Sequence, residues 1–338
     1  MDQHIGKHSL KFKNPPVIVS AGAVGGKKEA EGPLASYFDI TSTDTHFSQD
    51  SWEKAESEMQ KYALETAMAK AALTADTLDM VFAGDLLNQC ISSSFSLRGS
   101  GVPVFGLYGA CSTMAEGLCL GSMAVSGGFA RRCAVLTSSH FASSERQYRF
   151  PLGYGGQRTP TAQWTVTGSG CAILAAKGDG ARITRATVGT VVDMGITDQN
   201  NMGAAMAPAA YETIRTHLDD FSLSPDDYDL IVTGDLGRIG KEIVLSLFAA
   251  DGIDLQGVYD DCGTMIYDLL RQDVHAGGSG CGCSASVLCG YLMQKLEEKP
   301  LRLLFCGTGA LLSPTSVQQG ESIPAVCHAV SIFSKEAL

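Results

Sequence analysis

No run of about 18 apolar residues occurs in this chain of 338, so no transmembrane helix is expected. The opening Met1-Asp-Gln-His-Ile-Gly-Lys7 lacks an apolar core, so no signal peptide is expected either. A membrane would then be met only through a partner. Positive charge is scarce: Lys and Arg number 25 against 36 Asp and Glu, a net charge of −11. That excludes non-specific nucleic-acid binding and a broad basic face for anionic lipids. A local basic pocket or a bridging cation can still hold an anion. Charged residues of all kinds make up only 18% against 45% hydrophobic, which excludes a disordered chain. A disulfide framework is missing too. Eleven cysteines lie scattered, most within apolar segments, such as Cys90, Cys119, Cys133 and Cys289. Free thiols of this kind imply a reducing compartment. Cys281-Gly-Cys283 is too tightly spaced for an ordinary zinc pair, and no second Cys/His pair stands at a useful distance, so no metal site is expected. The 38 glycines have no collagen-like period and gather at corners such as Gly277-Gly-Ser-Gly-Cys-Gly282.

Among what is present, Cys111 carries the most information. An apolar run, Val102-Pro-Val-Phe-Gly-Leu107, ends in Tyr108-Gly-Ala-Cys111, and a small-residue helix follows. A thiol at a helix start lies near the positive end of the helix dipole, which favours thiolate and lowers its pKa. The same residue also serves as a small buried hydrophobe. Both readings stay open on this motif.

The chain repeats its own grammar. Leu78-Asp-Met-Val-Phe-Ala-Gly-Asp85-Leu has a counterpart in Tyr228-Asp-Leu-Ile-Val-Thr-Gly-Asp235-Leu. Cys111-Ser leads through a small-residue helix to a strand at Cys133, and Cys283-Ser leads at nearly the same spacing to a strand at Cys306. Each half offers strand, helix and strand, so the reading is an α/β fold built by duplication, with halves 1–180 and 181–338. Two irregular stretches interrupt it. Residues 138–170 carry His140, Arg146, Arg149, Arg158 and Trp164; residues 193–208 are rich in Met, Gly and Asn and are expected to cover a pocket.

These features resemble the thiolase-like superfamily, which includes thiolases and β-ketoacyl-acyl-carrier-protein synthases. The resemblance implies two duplicated halves of layered sheets and helices (αβαβα), with Cys111 where those enzymes hold their nucleophile. Cys306-Gly-Thr-Gly309 resembles the family's glycine corner, whose backbone borders an oxyanion site. Motifs along nearly the whole chain are also similar to the stage V sporulation protein AD family. Among them are Gly84-Asp-Leu-Leu-Asn-Gln89, Thr137-Ser-Ser-His140, Glu145-Arg-Gln-Tyr-Arg-Phe-Pro151, Asp193-Met-Gly-Ile-Thr-Asp198 and Met202-Gly-Ala-Ala-Met-Ala-Pro208. That resemblance implies a protein of endospore formers that binds dipicolinic acid, free or as its calcium chelate. It implies work with the membrane subunits of the stage V sporulation protein A channel, at the spore inner membrane, in uptake into the spore and release at germination. It implies no other cofactor. Thiolase-like proteins pair through a first-half edge strand, which implies a homodimer.

A condensing site needs more than a thiol. Where the enzymes carry His-Gln-Ala-Asn, the matching stretch here reads Thr233-Gly-Asp235-Leu-Gly-Arg238-Ile-Gly-Lys-Glu242, with no His; where they carry Gly-Asn-Thr-Ser, it reads Gly278-Ser279-Gly-Cys281-Gly-Cys283, with no Asn or His. His275 lies just upstream as a weak stand-in for a base. The expectation is therefore a non-catalytic ligand pocket, with an active acyltransferase or condensing enzyme using Cys111 as the alternative. Dipicolinate is flat and carries two carboxylates, so its site should offer Arg forks or other donors. The candidate contacts are Cys111, Asn88, His140, Arg146, Arg149, Asp235, Ser279 and Gly309, with Arg158 as a third nearby cation. Each has a bland reading beside it: a core histidine for His140, a surface or interface residue for each Arg, a turn for Asn88, a helix cap for Asp235.

Overall fold

The computed structural model describes residues 3–148 and 158–338. Ten principal strands carry the fold: β1 (Val17–Gly25), β2 (Met80–Gly84), β3 (Val104–Leu107), β4 (Arg132–Ser139), β5 (Gly168–Ala175), β6 (Ala181–Thr187), β7 (Leu230–Thr233), β8 (Tyr259–Asp261), β9 (Arg302–Ala310) and β10 (Ala325–Phe333). They follow one another in the order β8-β7-β9-β10-β6-β1-β5-β4-β2-β3. The first five strands occupy one side in the order 1-5-4-2-3, and the second five repeat it as 6-10-9-7-8. Pairing sense repeats as well. β2 runs parallel to β3 and β4, as β7 does to β8 and β9, while β5 and β10 are antiparallel to both of their neighbours. The two sets meet over a short register, Ile18 opposite Ala181 and Val17 opposite Arg182.

Helices fill three layers around these strands. α1 (Trp52–Lys70) starts at Ser51, whose side chain accepts from Lys54 N–H. Its buried stripe Ala55, Met59, Ala63 and Ala67 repeats every four residues and packs on β1, β5 and β4. α4 (Met202–Phe221) and α5 (Gly237–Ala250) pack on each other, and α4 covers β10, β9 and β6 on the other side. Between the two sets lie α2 (Thr113–Ser126), which touches strands of both, and α6 (Cys281–Val287), whose residues are all buried. The result is the expected αβαβα layering. Small residues make the central layer possible: a Cβ at Gly117 would stand 2.6 Å from a Val135 methyl, so only glycine lets α2 lie this close to β4.

Both irregular stretches are more regular than their composition suggested. Within 138–170, α3 (Phe141–Tyr148) forms directly after β4. Within 193–208, α4 begins at Met202 and carries Pro208 inside it. Pro208 lacks one N–H near the helix start, and the buried alanines around it hold the helix by packing. Among the described residues, no helix is long and apolar enough to cross a membrane.

Candidate functional site

The site lies where the parallel strands point, at the carboxyl ends of β2, β4, β7 and β9. β3 delivers Cys111 through a tight 3-10 turn, Ala110–Ser112, directly before α2. Ala110 takes a left-handed φ of 52°, a strained setting for a residue with a Cβ. The turn is locked by its own hydroxyls: Ser112 Oγ donates to Gly109 O (2.7 Å) and Thr113 Oγ1 to Ala110 O (2.6 Å). β9 then closes against it. A Cβ at Gly309 would lie 2.6 Å from Gly109 O and 3.0 Å from Ser112 N, so glycine there allows the two backbones to meet. Gly309 thus shapes the turn, and its neighbour Ala310 lines the cavity.

Cys111 is only 6% exposed, and the Asp235 carboxyl lies close enough to act on its thiol. Burial, then the negative charge of Asp235, push the thiol well above its ordinary value. Of the two readings left open for Cys111, this direction favours the buried one: desolvation and a carboxylate outweigh a dipole worth about 1 kcal/mol or less. Asp235 is fully buried at the end of β7. It accepts from Gly280 N–H (2.8 Å), Thr308 Oγ1 (3.0 Å) and Ser279 Oγ (3.3 Å). Burial raises its carboxyl to about 6, with these donors and Cys111 pulling the other way. It does not cap α5. That task falls to Asp261 at the end of β8, which accepts from Leu236 N–H (2.8 Å) and Gly237 N–H (2.9 Å). Behind Cys111, the Cys281 thiol donates to Ser138 O (2.9 Å). Ser138 in turn donates to the buried Glu56 (2.9 Å), which also accepts from Ser143 (2.8 Å). Burial first, then the charge of Asp85, raise Glu56 to about 8.

The cavity above Cys111 measures about 60 Å³. At roughly 10–15 Å³ of such space per water, that is room for about four to six waters, the displacement of one small ring. α3 contributes Ser144, Glu145 and Tyr148. Leu86 and Ala110 come from the turns after β2 and β3, and Gln199, Met202, Ala310 and Leu312 from the second half. Thr165 and Ser279 sit opposite each other in a small parallel pairing of 164–165 with 278–279. Thr165 Oγ1 donates to Glu145 Oε1 (3.1 Å). No lysine, arginine or histidine lines the cavity among the described residues. Nor do those residues contain a group of three or more His, Cys, Asp and Glu that could hold a metal ion.

The structure thus brings together Cys111, Asp235 and Ser279, and turns other candidates away. His140 is buried with both nitrogens engaged: Nε2 donates to Thr45 O (2.8 Å), and Nδ1 accepts from Ala142 N–H (3.1 Å). Burial lowers its pKa, and it faces a different groove, beside Trp52 and Trp164. Arg146 pairs with Glu53 and lies over the Trp52 ring. Arg149 lies outside the described residues. Arg158 pairs with Asp273 (2.8 Å) and stacks over Trp164, and His275 Nε2 lies 3.1 Å from the same Asp273. Asn88 reaches the site only indirectly, accepting from Tyr108 Oη (3.2 Å), which is hydrogen-bonded to Tyr148 Oη (3.2 Å). The lining residues that sequence reasoning missed are mainly Glu145, Tyr148, Gln199 and Met202. A helix reading from Phe141 would have found the first two: positions 144, 145 and 148 share a face, and 146 leaves it.

The family model for stage V sporulation protein AD matches residues 6–333. The stage V sporulation protein AD of Bacillus subtilis (strain 168) is 46% identical over 326 residues, covering 96% of each chain. Solved structures share the fold at low identity. An OleA variant from Xanthomonas campestris matches with a TM-score of 0.61 at 14% identity, over 96% of this chain and 97% of its own. The 3-oxoacyl-[acyl-carrier-protein] synthase III of Aquifex aeolicus VF5 matches with a TM-score of 0.54 at 12% identity, over 94% and 99%. On the extent of these matches, the chain belongs to the stage V sporulation protein AD family.

Proposed function

We propose that this protein binds dipicolinic acid and its calcium chelate in the cavity above Cys111 and performs no acyl chemistry there. The observation that carries the reading is that burial and the nearby Asp235 carboxyl both oppose ionisation of the Cys111 thiol, which lines a cavity sized for one small ring. Acyl transfer needs a thiolate and a base that makes it. Asp235 lies in the corner that resembles the one where the condensing enzymes carry a histidine, and its charge opposes thiolate. The cavity offers a ring apolar side chains from Leu86, Met202, Ala310 and Leu312, and offers carboxylates polar partners in Ser144, Thr165, Gln199 and Ser279. A bare dianion is disfavoured close to Glu145 and Asp235. The calcium of the chelate supplies the opposite sign.

Within this reading the protein serves dipicolinate uptake into the developing spore and release at germination. It sits at the spore inner membrane through the membrane subunits of the stage V sporulation protein A channel. It works as a homodimer joined through the edge strand β3. The second reading, a condensing enzyme or acyltransferase, draws on one feature: the strained turn at Ala110 that still presents Cys111 to the cavity. Isothermal calorimetry with dipicolinate, with and without calcium, tests the first reading; the absence of saturable heat in both would reject it. Incubation with acyl thioesters followed by intact-mass analysis tests the second, which requires an adduct on Cys111.

A further inference from the structure

We infer that Tyr148 is the platform on which the ligand ring stacks, and hence the residue that makes this cavity select an aromatic diacid; the inference rests on the dipicolinate reading above. Among the described lining residues Tyr148 is the only aromatic one. Its ring packs against the small apolar cluster of Leu86, Cys111 and Cys281. Its hydroxyl is fixed at a distance from the ring face: Tyr148 Oη donates to Leu86 O (2.6 Å) and contacts Tyr108 Oη (3.2 Å). Gln147 Nε2 donates to the same Leu86 carbonyl (3.0 Å), and Gln147 Oε1 accepts from Asn88 N–H (2.9 Å). The last turn of α3 is thereby clamped to the segment after β2, and the ring is held in place before any ligand arrives. Such preorganisation removes an ordering cost from binding.

The chemistry of the pair fits. A pyridine ring with two carboxyl substituents is electron-poor, and a neutral phenol ring is electron-rich, so an offset stack is favoured. Burial and the Tyr108 hydroxyl hold the Tyr148 phenol far above its ordinary pKa, so it brings no negative charge near the ligand carboxylates. Met202 and Leu312 supply further apolar lining, and a thioether adapts well to a ring edge. Tyr108 then acts as a positioning residue, since it touches Tyr148, Asn88 and Leu86 and does not line the cavity.

The experiment is calorimetry with dipicolinate on the full chain and on Tyr148→Phe and Tyr148→Leu, with the near-ultraviolet difference spectrum of the bound ligand recorded in parallel. The expected result is about a tenfold weaker Kd for Tyr148→Leu, consistent with the loss of an aromatic stack. Tyr148→Phe keeps the ring and restores affinity to within a few-fold. The ligand absorbance is reduced on binding to the wild type and to Tyr148→Phe and unchanged with Tyr148→Leu. Equal affinity in Tyr148→Leu overturns the inference, as does an equal loss in both variants, which would assign the effect to the hydroxyl. Should Tyr148→Leu fail to fold by circular dichroism, Tyr148→Trp takes its place. Its added indole emission is quenched by dipicolinate if the ring stacks there, and unquenched emission overturns the inference. If the wild type itself binds no dipicolinate, the underlying reading is what fails.

Discussion

At the scale of single residues, the fate of Cys111 turns on a competition between fields. The helix start of α2 favours thiolate by about 1 kcal/mol or less. Burial and Asp235 oppose it, and each unit of pKa they add corresponds to about 1.4 kcal/mol. With Asp235 raised only to about 6, it is largely a carboxylate at pH 7.5, so its opposition holds across the range in which a thiol would react. Two expected outcomes follow. Alkylation of Cys111 by iodoacetamide at pH 7.5, followed by peptide mass spectrometry, should run many-fold slower than for a free thiol. Asp235→Asn should speed it several-fold and move its pH profile to lower pH. An unchanged or slower rate in Asp235→Asn would show that burial alone silences the thiol and that the carboxylate has no part.

At the scale of elements, α3 decides which of the flagged residues meet the cavity. Successive helical residues turn by about 100°. Ser144, Glu145 and Tyr148 therefore share the cavity face, while Arg146 swings to Glu53 and Trp52. The duplication was legible because Gly-Asp-Leu recurs after β2 and β7, and Cys-Ser recurs near the starts of α2 and α6. The nucleophile-like turn was legible because a strand, a Gly-Ala corner and a small-residue helix leave the chain few ways to run. The facing of α3 was not, because glycine, proline and arginine around it masked its period. The opposition of Asp235 to a Cys111 thiolate was legible from its charge and its place at the second corner, but the burial that adds most to the shift was not. His140, immediately before α3, supports the helix and not the ligand. It donates to Thr45 O and accepts from Ala142 N–H, joining the first turn of α3 to the segment before α1. His140→Ala should cost roughly 1–3 kcal/mol in urea unfolding, for two part-buried hydrogen bonds lost at about 0.5–1.5 kcal/mol each. Dipicolinate affinity by calorimetry should stay within about twofold; a tenfold loss without unfolding would return His140 to the binding site.

At the scale of the whole molecule, two properties follow from groups spread across it. The edge strand β3 leaves Val104 44% and Phe105 55% exposed, with Tyr108 50% exposed just beyond it. Unpaired strand edges with apolar side chains invite pairing with another chain. For the proposed homodimer, Phe105→Glu should give the monomer mass in sedimentation velocity at concentrations where the wild type gives twice that mass. A wild type that sediments as a monomer would remove the dimer. The second property is acid preference. Desolvation raises the carboxyls of the buried Asp85 and the part-buried Glu116, and those of four more buried residues: Glu29 and Asp235 to about 6, Asp261 to about 7, and Glu56 to about 8. In the unfolded chain all of them titrate near 4. Between pH 6 and 8 the folded protein therefore holds more protons than the unfolded one, and stability falls as pH rises, by about 1.4 kcal/mol per pH unit for each net proton. The buried His217 and the part-buried His328, lowered to about 3 and 4, work in the other direction. The unfolded state protonates them near pH 6.5, so their contribution is lost on the acid side. The carboxyls outnumber the histidines, so they set the sign above pH 6. Urea midpoints should be higher at pH 6 than at pH 8, and Glu56→Gln should flatten that decline because Glu56 is the last of the four to give up its proton. A midpoint that rises from pH 6 to 8 would mean that these carboxyls ionise normally inside the fold.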